Sequence, residues 1–372
     1  MAVLLVISLP FSESLKLICL FLLLFILLIQ LHRREVTIHL SIAHYGFIAL
    51  LLSALISSAF AAHPAKSIKG VRDVLYYTIP FFIACSITGE KSIRAILWGL
   101  YASTTAAALF GIFQSLQIHR ALEIHALGNS NYTAMYFIIV IASMIGTIIF
   151  SDRDSGISKA AISVSASIVL VAAVMTAMRT SFLALFLFVA VLAFKNWRLK
   201  SVKVFSLVLL LLVTASVYSY KPMFLKLFMT QSLVSRSYIW QHALTLFLEH
   251  PATGIGLNHF QYTFPVTYTP EAGASYFDAH NIYLQIASQV GLPGLFALFL
   301  IIFGFMAVYR KIRTESGFQK GIQYSALGGF LVTFVGGIFD TTLHHEHAIV
   351  FTLLAGFMFG LYPGKGQSRG NP

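Results

Sequence analysis

Charge is what this sequence has least of. Only 10% of its 372 residues are charged, against about a quarter in a soluble globular domain. That is too few to cover a water-facing surface, which excludes a soluble protein. Acidic residues are the scarcer sign, 13 against 25 Lys and Arg, giving a net charge of +12. In a soluble chain this imbalance would suggest nucleic acid. Between apolar runs it follows instead from the positive-inside rule, and no nucleic-acid partner is expected. Cysteine is nearly missing too. Cys19 and Cys85 both fall inside apolar runs, so no disulfide framework is indicated. The apolar runs do not alternate with polar residues, which excludes a transmembrane barrel. No basic stretch precedes MAVLLVISLP, so no cleavable signal is expected.

What is there is hydrophobic, 58% of the chain, in runs such as LICLFLLLFILLIQ and VFSLVLLLLVTASVYSY. Each is long enough to cross roughly 30 Å of hydrocarbon as helix. The pattern predicts an all-α polytopic membrane protein with about twelve spans. They lie at 1–10, 15–31, 37–61, 71–88, 93–116, 131–150, 158–178, 180–196, 203–220, 286–309, 322–342 and 347–362. The first is short for a full crossing. A polar interruption runs from Lys221 to about Tyr283. The expected organisation is therefore nine spans in 1–220, a loop over 221–283, three spans in 284–363 and a tail at 364–372. Lys and Arg concentrate in KNWRLKSVK, RKIRTESGFQK and the other loops on their side, which puts the N-terminus inside and the long loop outside.

Several polar residues fall at the outer ends of the spans. Lys66, Lys69 and Arg72 in AAHPAKSIKGVRD break the positive-inside rule. They either snorkel to lipid phosphates or form a basic site for an anionic head group. Asn129 and Asn131 in GNSNYTAMYF suit helix capping, with substrate contact as the alternative. Arg179 in MTAMRTSFLALF lies between two apolar spans with no loop to spare. A lone cation is costly there, and its five fixed donors suit a phosphate.

The loop stretch SRSYIWQHALTLFLEHP reads as a helix with Arg236 at its start. Trp240, Leu244, Phe247 and Leu248 form an apolar side expected to lie on the membrane surface. Pro251 ends it, and Gly254 and Gly256 allow a tight turn. That G-x-G follows no strand, so it is not a dinucleotide site. Gln261 to Phe277 suits a lid. His280 and Asn281 stand at the outer mouth of the tenth span, where an imidazole can take a proton or orient a hydroxyl, with Asp278 as its tuner. DTTLHHEH is dense in histidine but lacks metal-ligand spacing, and reads as a local interface cluster. Asp340, its first residue, is expected to pair with an arginine.

The residues His280, Asn281, Leu284 and Gly291 fit H-[S/N]-x-x-L-x-x-x-x-x-x-G. With Arg236, the run Pro251–Phe260 including Asn258, the GLPGL stretch and Arg179 in TAMRTS, the pattern resembles the O-antigen ligase family, which includes WaaL-type ligases and Wzy-like polymerases. The likeness runs over roughly residues 129 to 310. Asn281 stands where many ligases have Ser. The resemblance implies a GT-C-like membrane fold with its cavity at the periplasmic face of a bacterial inner membrane. It also implies a glycan donor on undecaprenyl pyrophosphate, an acceptor hydroxyl such as that of lipid A-core, surrounding membrane lipids, and no metal or other cofactor. It makes His280, Arg179 and Arg236 the catalytic candidates. Lys66, Lys69, Arg72, Asn129, Asn131, Trp240, Asn258 and Asn281 are the substrate-binding ones. A polymerase, a protein O-oligosaccharyltransferase and a secondary transporter are the alternatives, the last disfavoured because no matched pair of broken spans is visible.

Overall fold

The computed structural model describes residues 1–150, 159–176, 178–196, 198–199, 203, 231–263 and 278–361, with backbone alone at 179–181 and 231–235. Among them there are helices and no strand. In chain order they are α1 (Ala2–Ser8), α2 (Glu13–His32), α3 (Ile42–Phe60), α4 (Pro64–Ser86), α5 (Glu90–Ile118), α6 (Ser130–Phe150), α7 (Lys159–Met175), α8 (Arg179–Asn196), α9 (Gln231–Glu249), α10 (Ile282–Lys311), α11 (Gly317–Phe330) and α12 (His345–Gly360). Six of the described helices are long and apolar enough to cross a membrane: α2, α3, α5, α6, α10, and α11 with its continuation to Ile338. The expected span at 203–220 lies, but for Lys203, outside the described residues. So do 221–230 and 264–277 of the expected loop, and the tail.

Local chemistry sets the helix starts. Ser12 accepts from Leu15 N at 3.3 Å and begins α2 earlier than hydropathy alone predicts. Pro64 opens α4, at the first turn where a missing N–H costs nothing. This corrects the placement of Lys66, Lys69 and Arg72, which belong to the first turns of α4 and not to a loop before it. The first expected span is also corrected. At seven residues α1 rises only about 10 Å. It lies along α5, where Ser103 Oγ donates to the Val6 carbonyl at 3.1 Å.

The bundle is centred on α6, whose apolar window is 94% buried, while α2 at 28% lies on the rim. Small residues set the tightest crossings. A Cβ on Gly304 of α10 would sit 2.3 Å from the Ala43 nitrogen of α3, and one on Gly356 of α12 would sit 2.5 Å from Ala84 of α4. Close backbone approach of this kind supplies the dispersion that holds helices together in lipid.

The two ends of the bundle differ. At one end, Lys195 lies over the Tyr309 ring, Arg94 over Phe318 and Lys320 over Phe150. At the other, Lys16 of α2 forms an ion pair with Glu346 of α12, both side chains at most 2% exposed. Breaking a buried pair strands the remaining charge and typically costs about 3–5 kcal/mol, whereas replacing both partners is often near neutral. Lys16→Met is therefore expected to lower the thermal midpoint sharply in detergent. The double variant Lys16→Met/Glu346→Gln should recover most of that loss, and equal loss in both would exclude a stranded charge as the cause.

Candidate functional site

The site is built where helices break. Inside α10, Gly291 takes φ 77 and ψ −166, and Pro293 follows. The break leaves carbonyls of the preceding turn without helical partners. Ile255 N donates to Ser288 O at 2.9 Å, Gly256 N to Gln289 O at 3.1 Å, and Leu292 N to Pro251 O at 2.8 Å. Ser57 Oγ of α3 adds a 2.6 Å bond to Gln289 O. The Pro251–Phe260 run and the GLPGL stretch are thus two halves of one joint. Gly254 and Gly291 are glycines because the backbones touch there.

A second break ends α11. Its α-turns give way to a π turn over Leu331–Val335 and a 3-10 turn over Gly336–Ile338. Side chains take up the carbonyls that this unwinding presents. Thr342 Oγ1 donates to Thr333 O at 2.5 Å, Tyr283 OH to Phe334 O at 2.8 Å, and Asn281 Nδ2 to Ile338 O at 3.0 Å. Asn281 also caps α10, its Oδ1 accepting from Tyr283 N and Leu284 N. Both polar atoms of this expected substrate ligand are thus engaged by backbone.

The unwound end presents Asp340 to His280. His280 Nδ1 lies 3.2 Å from Asp340 Oδ1, with Asp340 only 1% exposed. Asp340 also accepts from Thr341 N at 2.9 Å and from Asn131 Nδ2 at 3.0 Å. Two donors already point at this carboxylate, and the imidazole adds a third by donating from Nδ1. This corrects one expectation, since the partner of Asp340 is a histidine and not an arginine, and Asp278 couples to His280 through charge. Asp278 also accepts from Gln285 Nε2 at 3.0 Å and Tyr132 OH at 3.4 Å, while Gln285 Oε1 accepts from Ala279 N at 2.6 Å. Gln285 so clamps the turn that carries His280. Burial pushes the Asp278 carboxyl above its usual range, with nearby His280 opposing the shift.

Beside this turn opens a cavity of about 290 Å³, with walls from α4, α6, α10 and the turns after α9 and α11. Among the described residues, three of the five non-glycine residues with left-handed φ lie at it or next to it: Asn258 (57°), His280 (46°) and His345 (57°). Such backbone is costly and collects at functional sites. Asn258 and His345 line the cavity, and His280 sits between two lining residues, Asp278 and Ile282. His344, also in the wall, is held down at about 4 by burial and is neutral near pH 7. Within DTTLHHEH, Glu346 is taken by Lys16, and both ring nitrogens of the buried His347 lack partners. Among the described residues no three such side chains are arranged to hold a metal.

The other candidates divide. Asn129 caps α6 by accepting from Tyr132 N at 3.1 Å. Lys66 lies 4.4 Å over the Tyr262 ring, next to the cavity-lining Gln261. Lys69 and Arg72 are exposed, and Arg72 lies 3.8 Å from Asp73. Arg236 and Trp240 are half-buried on α9 and do not line the cavity. Arg179 is the first residue of α8, and its side chain lies outside the described part. α9 is apolar on two sides. Ile239, Ala243 and Leu246 are its buried side, packed with Phe260 and Ala279, while Leu244 and Leu248 point away.

Sequence reasoning missed Gln285 and Tyr132. One signal for Gln285 was present: Gln285, Ser288 and Gln289 recur at helical spacing in an apolar span, and polar groups there face protein or a cavity.

With this geometry in place, comparison with known proteins adds one match. Residues 164–299 match the family model described as O-Antigen ligase. That segment holds Arg179, Arg236, Trp240, Asn258, His280 and Asn281, while Asp340, Asn131 and Asp73 lie outside it. No curated protein matches the chain.

Proposed function

The chain carries the domain of the O-antigen ligase family, a family of membrane enzymes, and from that premise we propose a glycan transfer at the outer membrane face. The donor is a glycan on undecaprenyl pyrophosphate, and the acceptor is a hydroxyl, first of all that of lipid A-core. The observation that carries this reading is the His280–Asp340–Asn131 chain beside the cavity. His280 Nε2 takes the proton of the acceptor hydroxyl, its oxygen bonds to the anomeric carbon, and the anomeric C–O bond to the lipid diphosphate breaks. Asp340 holds the ring and stabilises the imidazolium.

The departing diphosphate gathers negative charge. Fixed cations that meet it there stabilise the transition state more than the ground state. We assign Arg179 and Arg236 to that task, with Lys66, Lys69 and Arg72 docking the head group, and no metal or other cofactor. Trp240 and the outward Leu244 and Leu248 of α9 would rest against lipid. Asn258 and Asn131 face the glycan side, Asn131 through Asp340, while Asn129 and Asn281 shape the turns by capping. In this reading the site end is periplasmic, some eleven spans cross a bacterial inner membrane, and the loop of 221–283 precedes the last three of them.

The test is transfer in vitro. Purified protein receives undecaprenyl-pyrophosphate glycan and lipid A-core in EDTA. Product on core supports a metal-free ligase. Chain growth on the lipid-linked glycan instead makes the protein a polymerase. No product from intact donor and folded protein would overturn the enzymatic reading and favour a transporter.

A further inference from the structure

Resting on the transfer reading above, the geometry points to Asp73 of α4 as a specificity-determining residue: with Asp278 across the cavity it forms an acceptor subsite for an uncharged or amine-bearing sugar ring that rejects rings carrying a carboxylate or phosphate.

The lining decides the chemistry. The charged side chains among the cavity's described lining residues are two carboxylates, Asp73 and Asp278, one from each of two walls. Carboxylates accept hydrogen bonds from sugar hydroxyls and amines and repel anions. The amides of Asn258, Gln261 and Gln289 supply donors and acceptors around them, and the Tyr132 ring offers an apolar face. This mixture suits a polyhydroxyl ring and not a diphosphate. Arg72, 3.8 Å from Asp73 by its Nε, is two-thirds exposed, so solvent screens this pair.

A second observation is independent of the acidic pair. Thr341 lines the same cavity, is 7% exposed, and its Oγ1 has no hydrogen-bond partner. His344 Nε2, in the same wall, also lacks one. Buried polar atoms without partners are rare in folded proteins and call for an explanation, and here two of them fall in the wall of one polar cavity. The volume of about 290 Å³ lies at the small end of ligand sites, roughly 300–1,000 Å³, and matches one ring better than a whole repeat unit. Position agrees as well. Asp278 is two residues from His280, so a ring seated here holds a hydroxyl beside the base.

The experiment uses the full chain in nanodiscs and a photoreactive acceptor disaccharide ending in a neutral hexose, beside its counterpart oxidised to the C6 carboxylate. Labelling is mapped to peptides by mass spectrometry. The wild type is expected to be labelled about tenfold more by the neutral probe, at peptides of α4 and the start of α10. Asp73→Asn should cut that preference to about twofold or less, and Asp73→Glu should restore it, which a misfolded variant would not do. Equal labelling by the two probes, labelling elsewhere, or an unchanged preference in Asp73→Asn overturns the subsite. Transfer activity is read on the same samples. Labelling with discrimination but without transfer leaves the subsite standing and removes the transfer reading. Transfer without discrimination does the reverse.

Discussion

His280→Ala is expected to lower glycan transfer by about 10²–10⁴-fold, the usual contribution of a positioned base. The protein should still purify as a monodisperse species, because the ring of His280 is partly exposed and bonded to Asp340 rather than packed in the core. Asp340→Asn separates orientation from charge. The asparagine fills the same space but no longer stabilises the imidazolium, and its amide does not enforce Nδ1 as the donor. The loss is expected in kcat, with KM nearly unchanged, since Asp340 is buried at 1% exposure and acts through the ring. Initial rates on lipid-linked donor settle the matter. A His280→Ala protein within threefold of wild type would remove the base from the mechanism, and a change confined to KM in Asp340→Asn would make that residue a binding group.

The second large effect is on folding. Gly254→Ala is expected to destabilise the protein by more than about 5 kcal/mol, beyond the range of ordinary substitutions. Two terms add. Gly254 has φ +66, where a side chain is strained, and its Cβ would stand 2.3 Å from the Gln289 carbonyl carbon. The obstacle is backbone on both sides, so no rotamer change relieves it. Opening the joint also frees the Ser288 and Gln289 carbonyls inside the bundle. Gly291→Ala meets the Pro251 carbonyl at 2.7 Å from the other side and should behave alike. Yield of monodisperse protein and its thermal midpoint measure this. By contrast Gly336→Ala, with no atom near its Cβ, should be mild. If Gly254→Ala and Gly336→Ala melted together, the joint would not be a tight backbone contact that stability depends on.

Helical, membrane-spanning character was legible in composition, because runs of apolar residues of this length admit little else. The helix ends were less so. Ser12 and Pro64 move the starts of α2 and α4 by local capping that a hydropathy window does not register. The chemistry around His280 was half legible. The residue itself stands in a recognisable pattern, but its partner Asp340 is 60 positions away, and the pairing depends on a π turn that no periodicity announces. Asn131 shows the same limit: a capping residue by sequence, it instead reaches across 209 positions to hold Asp340. The motif glycines were legible as turns, but not as a joint, because each half of the joint is ordinary without the other.

The joins at the site end span most of the chain. Asn131 meets Asp340, and Lys16 meets Glu346 across 330 positions. A ribosome must therefore have passed residue 340 before His280 acquires its carboxylate partner. A nascent chain stopped after residue 339 would contain every residue of the matched family segment and still lack Asp340 and the fastening of α2 to α12. Order of synthesis thus sets the order of assembly, since a nascent chain at the translocon holds His280 without its carboxylate partner until residue 340 has emerged.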